Sequence, residues 1–195
     1  MTSKNYEITF GGKGTLTVSP REITITLLPQ TAEYGGQNAT YTLGSTPGTH
    51  YTVGDKGLYD NRDPLITLTA DLTSSKDVGS YKIVASRPQN GNYDVTVENE
   101  DNYLFSITKA TVTVTAQDQS VTYGDSAPAL SWDNVTVTGF KDGTDYAAQL
   151  GEIAFTFGGY EPRTSQAGST YDITPKVGES KNYVVDIQTG QLSVA

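Results

Sequence analysis

The chain has 195 residues, a formal net charge of −9 and no cysteine. The acidic balance excludes the positive footprint that nucleic acid and anionic membranes require, and the lack of cysteine excludes disulfides, thiolate metal sites and a cysteine nucleophile. No apolar run reaches the roughly 18 residues of a membrane span, and residues 1–10 do not resemble a signal peptide. We therefore expect no nucleic-acid partner and no membrane insertion of this segment, with any signal and anchor lying outside it.

The first nineteen residues hold two short apolar-alternating runs around a glycine-rich turn. The runs are Asn5–Phe10 (NYEITF) and Thr15–Val18 (TLTV). Two such runs flanking a tight turn predict a β-hairpin. Because similar pairs recur later, at Asn92–Val97 and Asn182–Ile187, we interpret residues 1–19 as the closing hairpin of a truncated preceding repeat.

The segments that follow alternate apolar residues with threonine. This period of two runs through Ile23–Leu27, Thr111–Thr115 and Val135–Thr138. One apolar face and one polar face predict half-buried strands. Frequent glycine, threonine, valine and tyrosine agree with short strands joined by turns.

Several motifs occur twice with a spacing of about 90 residues. They are the Tyr-Gly pairs Tyr34-Gly35 and Tyr123-Gly124, and the Gly-Ser stretches that contain Tyr81 and Tyr171. Repetition at a fixed period indicates a repeat protein, and a unit of this size can fold alone. We therefore predict a first module at residues 20–108 and a second at residues 109–195, with neighbouring repeats of the same chain as partners.

The fold prediction is all-β, as two tandem Ig-like β-sandwich modules. The alternative is a pair of elongated β-grasp modules with one short helix, for which Asp142–Leu150 is the only candidate. Alternation alone cannot fix the strand order, so both topologies stay open. The joint around Lys109 has no Gly/Ser-rich or Pro-rich linker, which predicts a semi-rigid stack.

These motifs resemble two known patterns. Asp77–Tyr81 (DVGSY) resembles the D-x-G-x-Y stretch of immunoglobulin domains, which implies that the tyrosine hydroxyl bonds back to the backbone at a sheet corner. The Thr-rich strands, the Tyr-Gly turns, the Gly-Ser-Tyr stretches and the closing NY segments together resemble the MBG family of YG-containing, Ig-like bacterial repeats. That resemblance implies an extracellular, cell-surface-attached protein with a stalk or adhesive role.

Catalytic candidates are few. The one histidine, His50, lies in a polar loop, so a Ser/His/Asp arrangement is not indicated. The acidic run Glu98–Asp101 sits at a turn where carboxylates stay solvated, so a pair tuned for glycoside hydrolysis is not indicated either. We predict that the chain is not an enzyme.

Calcium is the only cofactor that we consider, because hard cations bind oxygen-rich loops. The candidate ligands are Asp60 and Asp63 in one loop and Asp142 and Asp145 in another. Their spacing matches no EF-hand, and Asx-turns are the alternative interpretation. The prediction is therefore no cofactor, with these four residues as the calcium candidates.

Aromatic residues offer a candidate binding patch for a host glycan or surface protein. Tyrosines at repeat-equivalent positions are expected in core and corner packing. The aromatic residues special to the second module are ligand candidates instead: Trp132, Phe140, Tyr146 and Tyr160. The predicted function is thus a non-catalytic spacer that presents a distal binding region, and the alternative is a binding module that uses these aromatics.

Overall fold

A computed structural model describes residues 5–6, 11–54, 66–87 and 92–195. The first module has the strands β1 (Arg21–Leu27), β2 (Gln30–Glu33), β3 (Tyr51–Val53), β4 (Thr67–Ala70), β5 (Gly79–Tyr81), β6 (Ile83–Ser86), β7 (Tyr93–Val97) and β8 (Phe105–Thr108). The second has β9 (Ala110–Ala116), β10 (Gln119–Val121), β11 (Val135–Thr138), β12 (Ala154–Thr156), β13 (Thr170–Lys176), β14 (Tyr183–Gln188) and β15 (Gly190–Val194).

The all-β prediction is confirmed, and the helical content is small. A single turn of 3₁₀ helix spans Trp132–Asn134, and the helix α1 spans Tyr146–Leu150 inside the segment predicted to be helical. The side chain of Asp145 caps α1 by accepting a hydrogen bond from the Ala148 amide at 3.3 Å. The number of sandwiches stays a prediction.

The alternating apolar residues of the strands form the core, as the sequence predicts. Ile23, Ile25 and Leu27 of β1 are buried while the threonines between them are half-buried, and β9 repeats this pattern with Val112 and Val114. Successive side chains of a strand point to opposite faces, so one face of each strand packs inward.

The two modules share one pairing scheme. In the first, β1 pairs with β3 antiparallel and with β7 parallel, and in the second β9 pairs in the same way with β11 and β14. The register also agrees, since Ile23 lies opposite Val95 and Val112 lies opposite Val185. The other sheets agree as well: β8 lies between β2 and β5, and β15 lies between β10 and β13.

The expected closing hairpins are wrong. The strands β7 and β8 belong to different sheets, and so do β14 and β15. Only Thr189 separates β14 from β15, too few residues for a two-residue hairpin loop, so the chain bends and continues into the second sheet. At this bend a Cβ on Gly190 would lie 2.6 Å from the Ala116 carbonyl oxygen, and glycine permits the close approach to β9.

The N-terminal hairpin is also not formed in the described part. Residues 11–20 have no strand, and Leu16 and Val18 are 88% and 84% exposed. Most of the first predicted run, residues 7–10, lies outside the described residues. The interpretation of residues 1–19 as the end of a preceding repeat therefore stays a prediction.

The interior of the first module is continuous with part of the second. One buried cluster includes Ile25, Phe105 and Ile107 from the first module, and Val112 and Tyr183 from the second. A smaller cluster around Ile173, Leu192 and Tyr160 fills the far end of the second module. The interiors of the two modules are therefore joined, and polar residues at this contact form a network of hydrogen bonds.

Candidate functional site

The candidate site is the joint between the modules, and its centre is the carboxylate of Asp142. The Tyr34 hydroxyl donates to its two oxygens at 3.1 and 3.0 Å, and the Tyr183 hydroxyl donates to Oδ2 at 2.7 Å. Tyr34 comes from the first module, just after β2, whereas Asp142 and Tyr183 come from the second. One carboxylate therefore bonds across the joint and within its own module at once.

Burial keeps both tyrosines protonated. Tyr34 and Tyr183 are 1% and 2% exposed. Desolvation, followed by the hydrogen bond to Asp142, raises the pKa of each hydroxyl well above its usual range. Both hydroxyls therefore remain protonated donors to Asp142 at neutral pH.

Aromatic rings surround this polar centre. The rings of Tyr34 and Tyr183 meet edge to face with centroids 5.4 Å apart, and Phe140 stacks on Tyr183 at 5.0 Å. Such pairs contribute about 0.5–1.5 kcal/mol each beyond the area that they bury. The joint therefore combines apolar packing with charge-assisted hydrogen bonds.

The backbones approach closely at Gly36. Its φ is +94°, and a Cβ at this position would lie 2.5 Å from the Lys141 carbonyl oxygen. The next amide, that of Gln37, donates to Asp142 Oδ1 at 2.9 Å. Glycine suits this position both because of its φ and because the other module leaves no room for a side chain.

A second carboxylate, that of Asp77, completes the joint. It accepts hydrogen bonds from Asn182 Nδ2 at 2.9 Å and Gln37 Nε2 at 2.7 Å, and pairs with Lys181 Nζ at 2.9 Å. In return, Asn182 Oδ1 accepts from the Val78 amide at 2.9 Å. The hydrogen bonds from Asn182 and Lys181 lower the pKa of Asp77 to about 2.

The connection between the modules is a single residue. Strand β8 ends at Thr108 and β9 begins at Ala110. The Lys109 side chain between them donates to the Ser180 carbonyl oxygen at 2.7 Å. This geometry leaves no flexible linker at the joint.

The lowered pKa of Asp77 predicts acid sensitivity of the joint. A carboxylate whose pKa falls on folding stabilises the protein above its unfolded value, 3.8, and that contribution disappears as the pH falls toward 2. We expect Asp77→Asn to lower the free energy of unfolding by about 1–2 kcal/mol near neutral pH. The difference from the unchanged chain should shrink below about pH 4.

Urea unfolding of both proteins across this pH range measures the effect. Asp101→Asn is the control, because Asp101 also pairs with a lysine, Lys82, yet its side chain is 99% exposed. A pair of that kind contributes little. A difference between the chain and Asp77→Asn that does not change with pH would contradict the prediction.

The structure describes two of the four calcium candidates. Asp60 and Asp63 lie outside the described residues. Asp142 is occupied by the two tyrosines and by the Gln37 amide, and Asp145 caps α1. The described segments contain no group of three or more His, Cys, Asp or Glu residues that could hold a metal ion. A calcium site at these residues remains a prediction, and in the structure Asp142 accepts hydrogen bonds from the two tyrosines.

The four candidate ligand aromatics do not form one patch. The rings of Trp132, Tyr146 and Phe140 pack in a row that leads to Tyr183, with neighbouring centroids 5.3, 5.1 and 5.0 Å apart. All three are partly buried against the larger cluster. Tyr160 is 8% exposed in the other cluster, and its hydroxyl donates to the Asp125 carbonyl oxygen. Three of these residues therefore support the joint.

The expected packing of repeat-equivalent tyrosines is wrong at two positions. Tyr34 and Tyr183 are buried, but Tyr123, the counterpart of Tyr34, is 53% exposed, and Tyr6 is 77% exposed. Sequence equivalence predicts the same backbone position, whereas the burial of Tyr34 depends on a neighbouring module. The corner predicted from the immunoglobulin resemblance is confirmed, since the Tyr81 hydroxyl donates to the Asp77 carbonyl oxygen.

The weak catalytic candidates have structural partners. The imidazole of His50 accepts a hydrogen bond from the Thr46 amide at 3.0 Å. Asn99 bonds to both backbone groups of Leu27, and Glu100 pairs with Arg87 at 2.9 Å. These contacts stabilise a loop and a turn.

Sequence reasoning missed the polar contacts that cross the joint. Gln37 bonds to Asp142, and Lys181 and Asn182 bond to Asp77. One signal existed: Lys181 directly precedes the repeated NY pair, where a cation at a module boundary could have indicated a partner carboxylate.

Comparison with known proteins gives a family match over the second module. A search of curated proteins returned no match. No helix among the described residues is long and apolar enough to cross a membrane. Residues 112–193, which include the Tyr123-Gly124 pair and strands from β10 to β15, match the family model described as the MBG domain, YGX type. This match confirms the resemblance found in the sequence: residues 112–193 of the second module are similar to the MBG domain of the YGX type.

Proposed function

We propose that the two modules form a non-catalytic, semi-rigid spacer of a bacterial cell-surface protein, held outside the cell, that projects a distal binding region. The observation that carries the proposal is the joint. A one-residue connection, a continuous buried cluster and a carboxylate shared by two buried tyrosines all restrict bending between the modules.

The surface chemistry supports this role. The outer face of the sheet formed by β3, β1 and β7 is a shallow groove rich in threonine and carboxylates. Its lining includes Glu22, Thr24, Thr26, Asp94, Thr96 and Glu98. Acidic, hydroxyl-rich surfaces keep an extended protein dispersed and discourage nonspecific association.

Distance measurements between the modules test the proposal. The chain contains no cysteine, so Thr96→Cys and Ser193→Cys provide two unique and exposed sites for spin labels. We expect one narrow distance distribution for the chain. Asp142→Ala should broaden it, because the carboxylate that joins Tyr34 to Tyr183 is lost.

The control for this measurement is Asp145→Ala. It removes a carboxylate close in sequence that caps α1 and that has no hydrogen bond to the described residues of the first module. The distribution should stay narrow in this variant. A distribution in the unchanged chain as broad as that of modules on a flexible linker would overturn the spacer proposal.

A further inference from the structure

Tyr34 and Tyr123 occupy the same backbone position in the two modules. Each follows a strand, β2 or β10, that runs parallel to the last strand of its module. The Tyr34 amide donates to the Thr108 carbonyl oxygen at 2.9 Å, and the Tyr123 amide donates to that of Ala195 at 3.0 Å. Their side chains nevertheless differ, with 1% of Tyr34 and 53% of Tyr123 exposed.

The difference arises from what covers each ring. Tyr34 packs against Tyr183 and bonds to Asp142, both from the second module. In its own module the Tyr123 hydroxyl donates to the Arg163 carbonyl oxygen at 2.7 Å, and its ring stays open. A Cβ on the adjacent Gly124 would have no atom of the described residues within 4 Å, so the space beside the ring is open as well.

The polar residues at this open end differ from those of the joint. By the repeat spacing, Ser126 stands where the first module has Gln37, and Gln166 where it has Asp77. Arg163, in a turn at φ 71°, is exposed beside Tyr123. The end therefore combines an exposed aromatic ring with a guanidinium, a suitable partner for a carboxylate.

We infer that the Tyr123 end of the second module is a docking surface for a further module of the same type. The incoming module would present the edge that the second module presents to the first, with an aromatic pair at the Phe140 and Tyr183 positions and a carboxylate at the Asp142 position. Arg163 receives that carboxylate, and Tyr123 packs on the aromatic pair. The inference rests on the proposed spacer function, which it extends to a second joint.

An extended protein tests the inference. The full chain is followed directly after Ala195 by a second copy of residues 109–195, because Ala195 corresponds to Thr108, which precedes Lys109 in the existing joint. The appended copy carries Tyr123→Phe, so that only Tyr123 of the original second module can be nitrated at this position. Nitration by tetranitromethane, read by mass spectrometry, measures its exposure, and Tyr103, 66% exposed, is the internal reference.

We expect nitration of Tyr123 relative to Tyr103 to fall several-fold in the extended protein. Arg163→Glu in the original second module should restore it. Lys13→Glu, the same charge change at an exposed residue of the N-terminal segment, should not. Equal nitration of Tyr123 in the extended and original proteins overturns the inference.

A second extended protein tests whether the fused copy is positioned so that it can dock at all. Ser126→Gln and Gln166→Asp in the original second module install the residues of the existing joint. Protection of Tyr123 in this protein alone, or in neither protein, overturns the inference for the natural surface. The spacer proposal is tested separately, by the label distances across the existing joint, so the two can fail independently.

Discussion

Asp142→Ala should lower the free energy of unfolding by about 3–5 kcal/mol, because it leaves two buried hydroxyls without their acceptor. A hydrogen bond to a charged group contributes about 1.5–3 kcal/mol, and Asp142 accepts one from each of Tyr34 and Tyr183. The Gln37 amide loses its acceptor as well. Chemical denaturation of the chain and the variant measures the loss.

The matched control is again Asp145→Ala, for which we expect a loss of about 1 kcal/mol from the missing helix cap. Adding Tyr34→Phe to Asp142→Ala should recover part of the stability, because it removes one of the stranded hydroxyls. Equal losses for the two alanine variants would show that the carboxylate between the tyrosines has no special role.

Gly36→Ala should lower the free energy of unfolding by about 2–4 kcal/mol and loosen the joint. Two effects add: the positive φ of 94° is unfavourable for alanine, and the new Cβ would lie 2.5 Å from the Lys141 carbonyl oxygen. Since that oxygen belongs to the other module, the strain is relieved by moving the modules apart. Denaturation combined with the label distances detects both consequences.

Gly124→Ala separates the two effects. Gly124 has a φ of +90°, but no atom of the described residues lies within 4 Å of the new Cβ, so only the backbone cost of about 1 kcal/mol is expected. A loss at Gly36 no larger than that at Gly124, with unchanged label distances, would refute the close contact between the modules.

Local chemistry was sufficient for the strands and the repeat. Ile23–Leu27 and Val112–Val114 alternate with threonine, and burial of one face follows from the two-residue period of a strand. The helix within Asp142–Leu150 could be predicted because residues that can cap a helix lie close to it in the sequence, although the cap is Asp145. The MBG resemblance rested on the same local motifs, and the family match over residues 112–193 confirms it.

The wrong prediction of closing hairpins shows what the local sequence pattern cannot determine. Two alternating runs around a turn are expected both for a hairpin and for one strand that bends into a second sheet. In β14 and β15 the choice depends on their partners, β9 on one side and β10 with β13 on the other. Those partner strands lie tens of residues away in the sequence, so the residue pattern of β14 and β15 cannot predict them.

The sequence by itself determined the fold class, the spacing of about 90 residues between the repeated motifs, and the residue types at the module boundary. Strand periodicity and repetition depend only on the order of residues along the chain, so both can be recognised without a structure. Only the tertiary structure decided what Asp142 does. Its sequence context suited a calcium ligand, but hydrogen bonds from Tyr34 and Tyr183 occupy the carboxylate. Such a site is made by groups far apart in the chain, and burial, which gives these bonds their strength, exists only after the modules have packed together.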